Sequence, residues 1–293
     1  MHGSALRRIV PIILQALLAT FCVVDMAGGA APCRVEVVDK ENGWPVPLVE
    51  FRTTHDVVLV SDNAGVIAID QPELFNRETW FTVSGHGYYA RRDGFGNSGV
   101  RITPKAGETV RVEVERKIIA KRLGRITGGG IFAEAQKLGE YADWQESGVF
   151  GCDTVQSTVY RGKRYWLWGD TDLPRYPLGI FDSSSATSQP QPLDRFEPPI
   201  ALQFDYFRDN KGVPRGVAPM PGPGPTWITG YVSLPDKTGQ QRLVGHYAKI
   251  KPPMDGYESG LCVWNDDKQE FDHLRTLWNK ESGEPKPALR PTG

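Results

Sequence analysis

The sequence predicts an all-β protein, a small β-sandwich followed by an incomplete β-propeller. Three observations carry this expectation. Glycine (32) and proline (23) are abundant among the 293 residues, which favours turns over helices. Residues 33 to 116 fall into short alternating runs with turn signals between them. Four more strand-like runs then follow one another within residues 227–277, the length and pattern of one propeller blade.

Taken from the start, the chain opens on an export signal over residues 1–31. Arg7-Arg8 is its positive end, residues 9–24 its apolar run, and Gly29-Ala30-Ala31 its small-residue cleavage site. Pro11 and Gln15 interrupt the apolar run, which is short for a membrane span. Phe21 before Cys22 is too bulky for lipoprotein processing. The mature protein is therefore expected to be secreted, periplasmic or on the cell surface, with no integral membrane span. Cys33, Cys152 and Cys262 remain; their spacing fits no zinc motif and allows one disulfide and one free thiol, with the pair left open. A net charge of −1 without a basic stripe argues against a nucleic-acid partner.

Within residues 32–116, expected strands run over 34–37, 46–51, 57–60, 66–69, 80–83, 100–103 and 110–115. Turns are expected at Glu41-Asn42-Gly43 and Asp62-Asn63-Ala64-Gly65. The stretches VEVVDKENGWPVPLVEFRT, SDNAGVIAI and FTVSGHGYY resemble the carboxypeptidase-regulatory, or transthyretin-like, module. That resemblance implies an accessory role as spacer, stabiliser or weak carbohydrate binder. Residues 117–147 read as a linker: a basic stretch to Arg125, a glycine turn at Gly128-Gly129-Gly130, and one or two helical turns over 132–138. No Gly-Lys-Ser/Thr follows those glycines, so a phosphate loop is not supported and no cofactor is expected.

The organising stretch is GVFGCDTVQSTVYRGKRYWLWGDTDLP, residues 148–174. β-Branched residues over 154–160 and aromatic and apolar ones over 164–168 flank a short turn, which predicts a hairpin. Asp153 stands where the first strand begins and Asp170 where the second ends. A two-residue loop at Arg161-Gly162 pairs 160 with 163 and so on out to 153 with 170, bringing both carboxylates to one face about 5 Å apart at Cβ. A three-residue loop slips the register and puts them on opposite faces. Residues 174–226 are Pro-, Ser- and Gly-rich, a composition that within a compact domain points to a functional loop. Strands are expected again over 227–234, 242–250, 260–264 and 271–277.

The aromatic strand RYWLWGDT after an Asp at a strand start, together with strand-turn-strand units such as GLCVWNDDKQEFDHLRTL, resembles five-bladed β-propeller glycosidases of the Gly-Asp-Thr motif group. Some members of that group are endo-acting arabinan hydrolases. The resemblance covers about 148–280 and implies that Asp153 and Asp170 are the catalytic carboxylates, one protonated acid and one ionised partner. Residues 148–293 make room for about three blades of ~40–50 residues, so the ring is expected to be incomplete and the chain either a piece of a longer protein or a truncated, inactive product. The function implied is a secreted glycoside hydrolase acting on a polysaccharide, without metal, since His246 and His273 lack spaced partners. Trp166, Trp168, Tyr176 and Glu258 are the candidate sugar contacts. On alternation alone these aromatics also read as blade core, and Glu258 as a turn residue. The alternative is a non-catalytic carbohydrate-binding or cell-surface propeller.

Overall fold

The computed structural model describes residues 30–127, 132–142, 148–174, 176–191, 197–200 and 202–285. Positions 1–29 of the expected export signal, the glycine triplet and the last eight positions of the chain lie outside these residues. The described protein is all-β.

The first eight strands are β1 (Cys33–Asp39), β2 (Glu50–Thr53), β3 (Val58–Val60), β4 (Val66–Ile69), β5 (Thr79–Gly85), β6 (Tyr88–Tyr89), β7 (Gly99–Ile102) and β8 (Thr109–Arg116). They join in one sheet of order β3-β2-β5-β6-β8-β1-β4, with β7 pairing β5 off this path. The sheet curls until it is nearly closed, where two separate layers were expected. The short β6 causes the difference: it pairs with both β5 and β8 and so links the two halves. β1 is central, antiparallel to β4 and parallel to β8, and its alternation sends Val35 and Val37 into a core with Phe51, Ile67, Ile69 and Phe81. The strand expected over 46–51 forms only at 50–53. Pro45 and Pro47 flank Val46 and withhold ladder donors, and Leu48 takes a left-handed φ of 57°.

The linker is docked rather than free. The Asn63 side chain accepts from the Arg125 backbone N–H at 2.7 Å and donates to the Arg125 and Ile200 carbonyls at 2.8 and 3.1 Å. Farther on, the expected helical turn is a 3-10 turn at Ala135–Leu138. It is held by Asp62, which is fully buried and accepts from the backbone N–H groups of Ala64, Val66 and Ala135.

Eleven further strands follow among the described residues: β9 (Gly151–Cys152), β10 (Val155–Tyr160), β11 (Lys163–Trp168), β12 (Thr171–Leu173), β13 (Tyr176–Ile180), β14 (Ser184–Ser188), β15 (Asp205–Tyr206), β16 (Thr226–Pro235), β17 (Gln241–Lys251), β18 (Asp255–Asn265) and β19 (Glu270–Asn279). They make two four-stranded antiparallel sheets, β10-β11-β14-β15 and β16-β17-β18-β19, and a small sheet β13-β12-β9. The two larger sheets share a core in which Tyr160 and Leu167 of the first meet Ile228, Leu243, Tyr247 and Trp264 of the second. Gln156 fastens β10 to β16: its amide donates to the Ile228 carbonyl, and its carbonyl accepts from Tyr231 N–H.

Two expectations are corrected here. Residues 174–226 are not one long loop, because β13, β14 and β15 lie within them. Ser184-Ser185-Ala186-Thr187 is buried beside β11, which its small side chains permit, and the Ser184 and Ser185 hydroxyls are satisfied. Ser185 Oγ donates to the Trp166 carbonyl at 2.6 Å, and Ser184 Oγ pairs with Thr171 Oγ1 at 2.7 Å. The disulfide also does not form: Cys33, Cys152 and Cys262 are all free thiols, each in a different sheet.

Candidate functional site

The hairpin takes the two-residue loop. Arg161 and Gly162 have φ of 48° and 78°, both positive as a type I′ turn requires, and Tyr160 pairs with Lys163 through to Val155 with Trp168. At the open end Asp153 N–H donates to the Asp170 carbonyl at 2.8 Å, while the Asp153 carbonyl accepts from Gly169 N–H at 2.9 Å. Asp153 thus faces both Gly169 and Asp170, and Thr154 absorbs the irregularity with a φ of 45°. Gly169 leaves room here: a Cβ on it would meet Asp153 Cβ at 3.9 Å. The sequence therefore brings its two acids to one strand end.

Their environments differ. Asp153 is exposed and accepts from the Thr154 hydroxyl at 3.1 Å. Asp170 is half-buried, and its Oδ1 is shielded from solvent without a hydrogen-bond partner among the described residues. Burial pushes the Asp170 carboxyl above the usual value, and the charges of Asp153, Asp172 and Asp182 push it further; the nearby Trp227 indole offsets part of this. That indole N–H donates to the Phe181 carbonyl at 2.9 Å.

Sequence reasoning missed Asp172, Asp182, Trp227 and Lys249. Asp182 precedes β14 and accepts from Thr226 N–H at 2.7 Å. Lys249 is 2% exposed, and its ammonium donates to the Gly224 and Met220 carbonyls and to Thr226 Oγ1 at 2.6, 3.3 and 3.3 Å. Desolvation holds it below the usual lysine value, partly offset by Asp182 and Glu258. The chain carries one signal for Asp182, an acid directly before a polar run, but that run has the composition of a loop.

The expected sugar contacts are placed differently. Trp168 is 2% exposed and packs against Phe204 and Tyr206 at ring distances of 5.2 Å each, so it is a core residue and offers no platform. Trp166 is half-buried, stacked on Trp168, edge-on to Phe204 and tied through its indole N–H to Ser188 Oγ at 2.8 Å. Tyr176 opens β13 opposite Leu173; its side chain lies outside the described part of the structure. Glu258 sits inside β18 rather than before it, opposite Lys249 and Asn279, and accepts from the Tyr247 hydroxyl at 2.7 Å and from Asn279 Nδ2 at 3.3 Å. Cys152, beside Asp153, is pushed up to about 11 by burial and is held as a thiol rather than a nucleophilic thiolate. Among the described residues no group of three His, Cys, Asp or Glu side chains is placed to hold a metal ion, and no helix is long and apolar enough to cross a membrane.

Fold and site together define an all-β protein with a carboxylate pair at the end of a β-hairpin. No protein-family model matches the chain, and no curated protein matches it.

Proposed function

We propose that the protein is an exported glycoside hydrolase-like enzyme that cleaves a polysaccharide with Asp153 and Asp170. The observation that supports this best is the contrast within the pair: the half-buried Asp170 has its carboxyl pushed upward, while its cross-strand neighbour Asp153 is exposed. A carboxyl whose surroundings favour its protonated form, with a second carboxyl beside it, is what glycosidic cleavage needs. In this reading Asp170 keeps its proton and delivers it to the leaving glycosidic oxygen as the bond to the anomeric carbon breaks. Asp153, the exposed partner, stabilises the oxocarbenium-like centre or activates the group that attacks it. The two packed four-stranded sheets are then neighbouring blades of a propeller, with the acids at one end of the first. The binding-only alternative draws its strength from Trp166 and Trp168, and the burial of Trp168 weakens it.

The test is release of reducing ends from a panel of plant and microbial polysaccharides. The wild-type protein should cleave at least one. Asp170→Asn and Asp153→Asn should each lose about 10²–10⁴-fold in rate, as expected for a positioned acid or base, while Asp170→Asn still binds the glycan. Activity should decline as pH rises through the raised Asp170 value, because the acid is then unprotonated. Full activity in Asp170→Asn, or binding of a glycan without its cleavage by the wild-type protein, would end the hydrolase reading.

A further inference from the structure

Away from the carboxylate pair, two open clefts adjoin where the linker crosses the N-terminal sheet. One, of about 440 Å³, lies over β2 and the end of β5; the other, of about 380 Å³, runs along residues 118–124. His86 and Arg122 line both. The Arg122 backbone N–H donates to the Tyr88 hydroxyl at 3.2 Å, which fixes where the residue sits. Its guanidinium has no hydrogen bond or ion pair among the described residues, and neither does the His86 ring.

The balance of charge around these clefts is one-sided. Lys121, Arg122 and Arg125 contribute three permanent cations, and Glu50 is the one carboxylate among the described lining residues. Glu50 already faces Arg52 at 3.7 Å. Lys121 caps the Trp44 ring at 4.7 Å. Arg125 is half-buried, and its fork donates to the Thr127 and Phe150 carbonyls at 2.7 and 2.6 Å, with no carboxylate beside it. A partly desolvated guanidinium met only by carbonyl dipoles gains from an added anion. The rest of the lining is apolar: Phe132 lies under the Arg125 plane at 4.6 Å, and Leu48 and Val60 complete the wall of the larger cleft.

We propose that this cleft is a binding site for a small organic oxyanion, a carboxylate or phosphate ester carried on a flat apolar body. Arg122 and His86 take the anionic head, and Phe132 with its apolar neighbours takes the body. The free guanidinium is suited to bidentate capture of either headgroup. This site is independent of the hydrolase reading, since none of its residues belongs to the carboxylate pair.

Thermal unfolding of the full chain, at fixed ionic strength, tests it with four probes: benzoate, phenyl phosphate, the neutral isostere benzamide, and inorganic phosphate. At least one of the two aromatic anions should raise the melting temperature more than inorganic phosphate does, and benzamide should leave it unchanged. Arg122→Gln should weaken binding at least tenfold, with His86→Ala weaker in effect and Arg275→Gln, on the exposed face of β19, without effect. Because the Arg122 side chain makes no hydrogen bond or ion pair among the described residues, the unliganded melting temperature should be unchanged. A benzamide shift equal to that of benzoate, equal shifts from inorganic phosphate and phenyl phosphate, undiminished binding in Arg122→Gln, or no response to either aromatic anion would overturn the proposal.

Discussion

At the scale of single residues, Asp170 shows how one carboxyl links site chemistry to stability. Its folded value is raised above the ordinary 3.8, by burial first and then by three neighbouring aspartates. The folded state therefore holds the proton more tightly than the unfolded chain. Stability is retained in full below about pH 3.8 and declines as pH rises through the raised value. Asp170→Asn removes the charge that causes the decline. The variant is expected to melt higher than the wild-type protein at pH 7, and the difference should vanish below the ordinary aspartate value; a lower melting temperature at pH 7 would contradict this. Such a cost at neutral pH is what a site arranged for a task other than stability is expected to show.

At the scale of elements, the turn after β10 and the loop before β16 show two kinds of backbone demand. Arg161-Gly162 forms a two-residue turn whose twist matches its strands, and that choice sets the register which, with the irregularity at Thr154, brings Asp153 opposite Gly169 and Asp170. In the Pro-Gly repeat before β16, Gly224 has a φ of 80°, and a Cβ there would come within 2.0 Å of the Ile250 carbonyl oxygen. Its own carbonyl also accepts from the buried Lys249. Both the left-handed conformation and the backbone contact exclude a side chain. Gly224→Ala is expected to cost about 1–3 kcal/mol, the range for a residue forced into strained backbone, read as a lowered midpoint of urea unfolding with little change in slope. The neighbouring Gly222→Ala, which would meet the end of the Tyr257 side chain rather than backbone, should cost less.

At the scale of the whole molecule, the strand sets are coupled through a few polar latches as well as apolar contact. Asn63 joins three segments, since its side chain binds both the N–H and C=O of Arg125 and also the Ile200 carbonyl. Asp62 beside it fixes the 3-10 turn, and Arg34 forms an ion pair with Glu140. Residues 117–125 contain two lysines and two arginines, so trypsin reports directly on whether the linker is held. Asn63→Ala leaves the Arg125 N–H without its acceptor and should speed tryptic cleavage in this stretch severalfold, with little change in the cleavage of β16–β19. Equal rates in the two proteins would show that apolar packing alone holds the linker.

Local chemistry determined much of this protein. Alternation in β1 and in β17, the positive-φ pair at Arg161-Gly162 and the Asx turn at Asp62 are short-range effects, so the strands, the hairpin register and the meeting of Asp153 with Asp170 were legible in the chain. Three things were decided only by tertiary structure. Trp168 and Trp166 share one strand face, and alternation cannot say whether that face meets solvent or another layer; Phe204 and Tyr206, brought over by β15, bury the first and half-bury the second. The serine run 183–185 has the composition of a loop, yet it is buried and leads into β14, with Trp166 O, Thr171 Oγ1 and Ile228 N as partners of its hydroxyls. Asp182 joined the neighbourhood of Asp170, and Lys249 that of Asp182, through tertiary packing. Contacts between residues so far apart in the chain leave no periodicity behind, so only the folded arrangement reveals them.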